Sequence, residues 1–158
     1  MSIKRFAFIV LLTAVTVVLA SPSAMAQSSA GVRIGISADP EQFFFGGHAD
    51  VTEVVPKFWF RPNAEIGFGD NRTTVALNGE FVYRIALQTR ERWDFYVGGG
   101  PAAVIRTFRT GPSNNRTTDA GPGFNFLMGL QQPKGLLAEI KVGVLDSPGF
   151  KFGIGWSW

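Results

Sequence analysis

Charged and amide side chains recur at every second position in three stretches: Arg61, Asn63 and Glu65; Asn78, Glu80 and Arg84 (with one position skipped); and Glu139 and Lys141. Both signs occur in each stretch or beside it, and Arg33 and Asp94 stand in similar apolar surroundings. Alternation places such residues on one face of a strand. The chemistry they offer is ion pairing, either as a fixed plug or as a gate in which partners exchange. Nucleophilic and metal chemistry are poorly provided for. There is no cysteine, and the single histidine, His48, sits in Gly46-Gly47-His48-Ala49-Asp50 with no ligand spacing around it. Any imidazole acid–base enzyme would have to use that residue; a hydrogen-bonded interior histidine is the simpler expectation. Gly98-Gly99-Gly100-Pro101 lacks the Lys-Ser/Thr element of a phosphate loop. Close packing or strand bending explains it better. The stretch Arg106–Thr118, with Arg106, Arg109 and Arg116 among Asn, Ser and Thr, offers cations to phosphate groups if it is more than a solvated loop.

The elements that position these residues are strands. Alternating segments are predicted at 32–38, 42–50, 57–68, 73–87, 92–105, 123–131, 136–145 and 150–158, separated by turn residues such as Asp39-Pro40 and Asp146-Ser147-Pro148-Gly149. One face of each segment is apolar and, in this phase, carries no charge. The other holds Arg33, Asp50, Lys57, Arg61, Glu65, Glu80, Arg84, Arg92, Asp94, Glu139, Lys141 and Lys151, with many glycines between. Glycine weakens a solvent-facing strand but suits the cramped interior of a narrow barrel. Tyr83, Trp93, Trp156 and Trp158 fall at segment ends, as aromatic girdles at two lipid–water boundaries would. The expected fold is therefore all-β, an eight-stranded antiparallel up-and-down transmembrane β-barrel. Pro62 and Pro101 each predict a bulge or a boundary, and residues 106–122 are expected as the longest outer loop.

Residues 1–26 read as a cleaved secretory signal: Lys4 and Arg5, an apolar run from Phe6 to Ala20, then Ala24-Met25-Ala26. That leaves 27–158 as one domain. Its charge is 13 basic against 12 acidic residues (15 − 2 and 12), so nothing invites a nucleic-acid partner.

The last segment alternates Phe152, Ile154, Trp156 and Trp158 with Gly and Ser. With the signal and the dyad repeats, it makes the chain resemble the small eight-stranded outer-membrane barrels of the OmpA and OmpX type over all of 27–158. The resemblance implies the outer membrane of a Gram-negative bacterium, contact with outer-membrane lipid and lipopolysaccharide, and a monomer. It also implies that Phe152, Ile154, Trp156 and Trp158 meet the barrel-assembly machinery, after delivery by periplasmic chaperones. Lipid A deacylases resemble this chain in fold but use a His-x-Ser motif, and here Asp50 stands where the serine would be. The expectation is a structural or surface-interaction role without catalysis, cofactor or metal. A narrow channel, a lipid-modifying enzyme and a soluble secreted β-domain are the alternatives.

Overall fold

A computed structural model of the protein describes residues 29–110 and 115–158; the expected signal segment 1–26 lies outside them. All regular structure among the described residues is strand: β1 (Ser29–Ala38), β2 (Glu41–Asp50), β3 (Thr52–Val55), β4 (Phe58–Gly69), β5 (Arg72–Ala86), β6 (Asp94–Thr110), β7 (Asn115–Gln131), β8 (Gly135–Leu145) and β9 (Phe150–Ser157). Sequence neighbours pair antiparallel except β2 and β3, and β1 pairs with both β2 and β9, so the meander closes into a barrel. β3 continues β2 along the same partner, β4, which makes eight staves from nine strands. Closure leaves no long unpaired edge around the wall.

The predicted phase holds along the long strands. Inward positions there are buried and outward ones more exposed in alternation, as in Val32, Ile34 and Ile36 against Arg33 and Ser37, whereas the short β3 is exposed on both faces. The outward surface is apolar, including Phe126 (55% exposed) and Trp156 (53%), while Arg61 and Glu80 inside are fully buried. Rings meet on that surface, Phe60 of β4 tilted against Phe81 of β5 at 5.1 Å and Phe124 tilted against Phe126 along β7 at 5.1 Å.

Both prolines lie inside strands. His48 faces Asn63 but Thr52 faces Phe60, so three residues (49–51) oppose two (61–62). Pro62 therefore sits opposite a bulge, where no ladder bond is required of it. Pairing with β4 resumes at once, as the Val51 N–H donates to the Phe60 carbonyl at 3.0 Å. At Pro101 there is a gap without a shift. Asn78 faces Ala102 and Phe81 faces Gly99 in one register, with the two positions between unpaired. On its other side Pro101 faces Phe124.

The expected long outer loop is a correction. β6 and β7 run on as a hairpin, Arg106 opposite Asp119 and Arg109 opposite Arg116. The reason is local: threonines are good strand formers, and Thr107 and Thr118 pair across it with hydroxyls 3.3 Å apart. Lys57 and Arg92, expected on the inward face, lie in turns with positive φ (70° and 52°), and both are exposed.

Two glycines show how narrow the interior is. A methyl on Gly98 would collide with the Phe81 carbonyl of β5, and one on Gly129 would lie 2.5 Å from the Tyr96 hydroxyl. Gly98→Val is expected to cost about 1–3 kcal/mol through overpacking, read as a lower midpoint of urea unfolding in detergent. Gly79→Val, on the lipid-side wall with only the Phe60 ring at 3.6 Å, should cost less.

Candidate functional site

The interior of the barrel is where the polar side chains converge. Inward positions along β5 run Thr74, Ala76, Asn78, Glu80, Val82 and Arg84, so ionic and amide groups occupy the middle with apolar groups above and below. Val82, Tyr96, Leu127 and Leu137 form one buried cluster, with Trp59 against it; Ala76, Ala102 and Val104 form another. Phe44 fills the space that Gly35 and Gly153 leave on β1 and β9, where a Gly153 methyl would come within 3.2 Å of its ring.

Between these lies a charge network. Lys141 from β8 has three carboxylates around its ammonium: Glu80 at 2.6 Å, Glu65 at 2.9 Å and Glu139 at 3.5 Å. Lys151 from β9 reaches Glu65 at 2.6 Å and lies over the Phe44 ring. Arg33 pairs with Glu139 and stands 3.8 Å from Glu65. The Tyr96 hydroxyl donates to Glu139 at 2.8 Å. An amide relay crosses three staves: Asn125 donates to Asn78 (2.9 Å), Asn78 to Asn63 (2.6 Å), and Asn63 to Glu80 (2.7 Å). Toward the end that holds Ser29 and Trp158, Asp50 accepts from Arg61 Nε at 2.7 Å and Ser29 Oγ at 2.8 Å and pairs with Arg84; Arg61 also donates to Gln131.

The buried charges balance. Arg33, Arg61, Lys141 and Lys151 face Asp50, Glu65, Glu80 and Glu139, four against four. Isolated charges at these depths would each cost several kcal/mol, so pairing is what makes the interior tolerable. Of the eight residues expected in the network, Arg33, Arg61, Glu65, Glu80, Glu139 and Lys141 come together in its centre. Arg84 is half-buried and reaches Asp50 at the rim. Asp94 is also half-buried there, with no cation within ion-pair distance among the described residues. Sequence reasoning did not single out Tyr96, Asn125 or Gln131. For two of them parity was available: Tyr96 sits between Phe95 and Val97, and Asn125 between Phe124 and Phe126, while Gln131 has an apolar neighbour, Leu130, on one side only.

The other sequence-derived positions fall as follows. Phe152, Ile154, Trp156 and Trp158 all point outward on and beside β9. Tyr83, Trp93, Trp156 and Trp158 do not divide between two rims. All four lie toward the end with Ser29 and Trp158, and the opposite rim carries phenylalanines, Phe43 and Phe68. Trp93 precedes β6 and its indole N–H reaches Glu91 at 3.4 Å.

His48 is buried inside, its Nε2 3.3 Å from the Ser157 hydroxyl, while no partner meets Nδ1. A serine–histidine pair is thus present that sequence spacing did not show. Among the described residues no carboxylate bonds Nδ1 to orient the imidazole. No group of three or more possible metal ligands occurs among the described residues.

Room inside is scarce. One small void, bounded by Ser37, Gln42, Phe44, Glu65, Thr74 and Lys151, leaves about 10 Å³ for a water molecule's centre, enough for one water. At the end with the Asp39-Pro40 and Asp70-Asn71 turns, a shallow cleft of about 590 Å³ opens outward, lined by Asp39, Glu41, Gln42, Asp70 and Arg72.

No family model and no curated protein matches this sequence. Solved structures do. The crystal structure of Neisserial surface protein A is similar at a TM-score of 0.63, with 10% identity, covering 82% of this chain and 94% of that one. The N-terminal β-barrel domain of Pseudomonas aeruginosa OprF is similar at 0.59, with 13% identity, covering 84% and 98%. The chain has the fold of the small eight-stranded outer-membrane barrels. At these identities the likeness is one of fold, and the role has to be argued from this chain's own residues.

Proposed function

We propose that the protein is a monomeric outer-membrane barrel that serves the envelope as a structural or surface element, without conducting solutes and without catalysis. The observation that carries this reading is a charge-balanced, closely paired ionic interior inside an apolar outer wall. Only a closed barrel can satisfy strand backbones in lipid, and this wall has the right height. Outward apolar positions on β6 run from Phe95 to Ile105. Ten residue-to-residue steps at about 3.4 Å each, tilted about 40°, span roughly 26 Å, against a lipid-facing band of about 25 Å. Export through residues 1–26, chaperone delivery, and recognition of Phe152, Ile154, Trp156 and Trp158 by the assembly machinery belong to the same proposal.

Four measurements test it. In planar bilayers the purified protein is expected to give no steady conductance, because side chains from β1, β4, β5, β8 and β9 meet across the lumen; a stable open channel would favour the transport reading. In cells, it should stay in the envelope pellet after carbonate washing and run faster unboiled than boiled on a detergent gel. Release by carbonate would overturn the membrane assignment. Overproduction should leave lipid A acylation unchanged, and a change abolished by His48→Ala would establish the enzyme instead.

A further inference from the structure

The β6–β7 hairpin projects beyond the β8–β9 turn, which last touches β7 where the Asp146 N–H donates to the Pro122 carbonyl. Its two faces differ. On the inward side the cations are engaged: Arg72 lies 4.6 Å over the Phe108 ring, and Arg106 binds Asp146 at 2.9 Å. On the outward side Arg109 and Arg116 stand directly opposite each other, both exposed. Neither has a carboxylate within ion-pair distance among the described residues, and residues 1–28 and 111–114 contain no Asp or Glu. Two like charges directly opposed on antiparallel strands repel. An anion held by both guanidiniums removes that cost, and paired planar forks suit a phosphate.

The position says which phosphate. Below the arginines on the same outward face come Thr107 and Thr118, then Ile105 and Ala120, then the apolar wall. Grease gives way to hydroxyl and then to guanidinium within four residues. That places the arginines about 10 Å above the last apolar pair, beside the membrane and facing it. We infer that Arg109 and Arg116 form a clamp for a phosphate on the headgroup of an outer-leaflet lipid, with the Thr107 and Thr118 hydroxyls beneath it. The inference adds to the structural role a defined lipid contact.

The test uses the folded full chain in detergent micelles, with diphosphorylated and dephosphorylated lipid A as probes and native mass spectrometry as readout. The wild type should hold diphosphorylated lipid A about tenfold or more tightly than Arg109→Gln/Arg116→Gln, and the two proteins should hold dephosphorylated lipid A equally. Arg109→Lys/Arg116→Lys, which keeps charge but loses the forks, should fall between them. Lys134→Gln at the opposite end should change nothing. Equal binding of diphosphorylated lipid A by wild type and the glutamine variant would overturn the clamp, as would an equal loss in Lys134→Gln. Displacement of the lipid by millimolar inorganic phosphate would assign the site to free anions and overturn the lipid assignment. Faster migration of unboiled samples reports folding of every variant, so a clamp that fails in a properly formed barrel is distinguished from a barrel that fails to form.

Discussion

Glu65→Ala is expected to destabilise the barrel by about 3–5 kcal/mol, the range for removing one partner of a buried ionic group. The residue is fully enclosed and answers three cations, Lys151 at 2.6 Å, Lys141 at 2.9 Å and Arg33 at 3.8 Å. Lys141 and Arg33 keep other carboxylates, Glu80 and Glu139. Lys151 has no second carboxylate within 4 Å among the described residues. Its unpaired ammonium therefore accounts for much of the loss, and removing it as well should recover stability. Glu65→Gln with Lys151→Met is expected to be more stable than Glu65→Gln alone, with a coupling of about 1–3 kcal/mol. Arg106→Ala provides the contrast. Its bond to Asp146 is partly open to water, and such pairs contribute about 0–1 kcal/mol. Urea titrations of protein folded into phospholipid vesicles measure these variants, with Lys151→Met alone completing the cycle.

Charge placed on the outer wall should be nearly as damaging. Phe126→Arg and Ile154→Arg are each expected to cost about 2–4 kcal/mol in vesicles, the figure for arginine at the middle of a lipid-facing strand surface. Both side chains are about half-exposed. In a water-soluble protein the same changes at such sites would shift stability by only about 0.5 kcal/mol either way. The size of the effect thus reports what solvent the wall meets. Thr117→Arg, on the projecting hairpin, should be neutral in the same assay.

Strand phase was legible because a period of two leaves little freedom: moving Glu80 or Lys141 to the outside would have carried Phe81 or Val142 inside with the other polarity. The inward set of charges followed from phase alone. Their partners did not, because Glu65 and Lys151 are 86 residues apart and meet only through barrel closure. The β6–β7 extension was hidden for another reason. Where both faces meet water, as at Arg106–Thr110, apolar alternation disappears, and strand and loop look alike. The apolar interior residues Leu127 and Leu137 were also missed, since each lies beside outward apolar neighbours and the run reads as unbroken grease. The bulge beside Asp50 leaves no mark in sequence except Pro62, which signals an interruption without saying which strand carries it.

Tryptophan quenching by brominated phospholipids asks most directly which way the wall faces. Two variants each keep one tryptophan, Trp156 on the outer surface or Trp59 against the interior cluster, with the other three replaced by phenylalanine. Bromine on the acyl chains is expected to quench Trp156 strongly and Trp59 little. Strong quenching of Trp59 with Trp156 spared, or no quenching of either, would contradict a barrel that presents its apolar side to lipid and keeps its ions within.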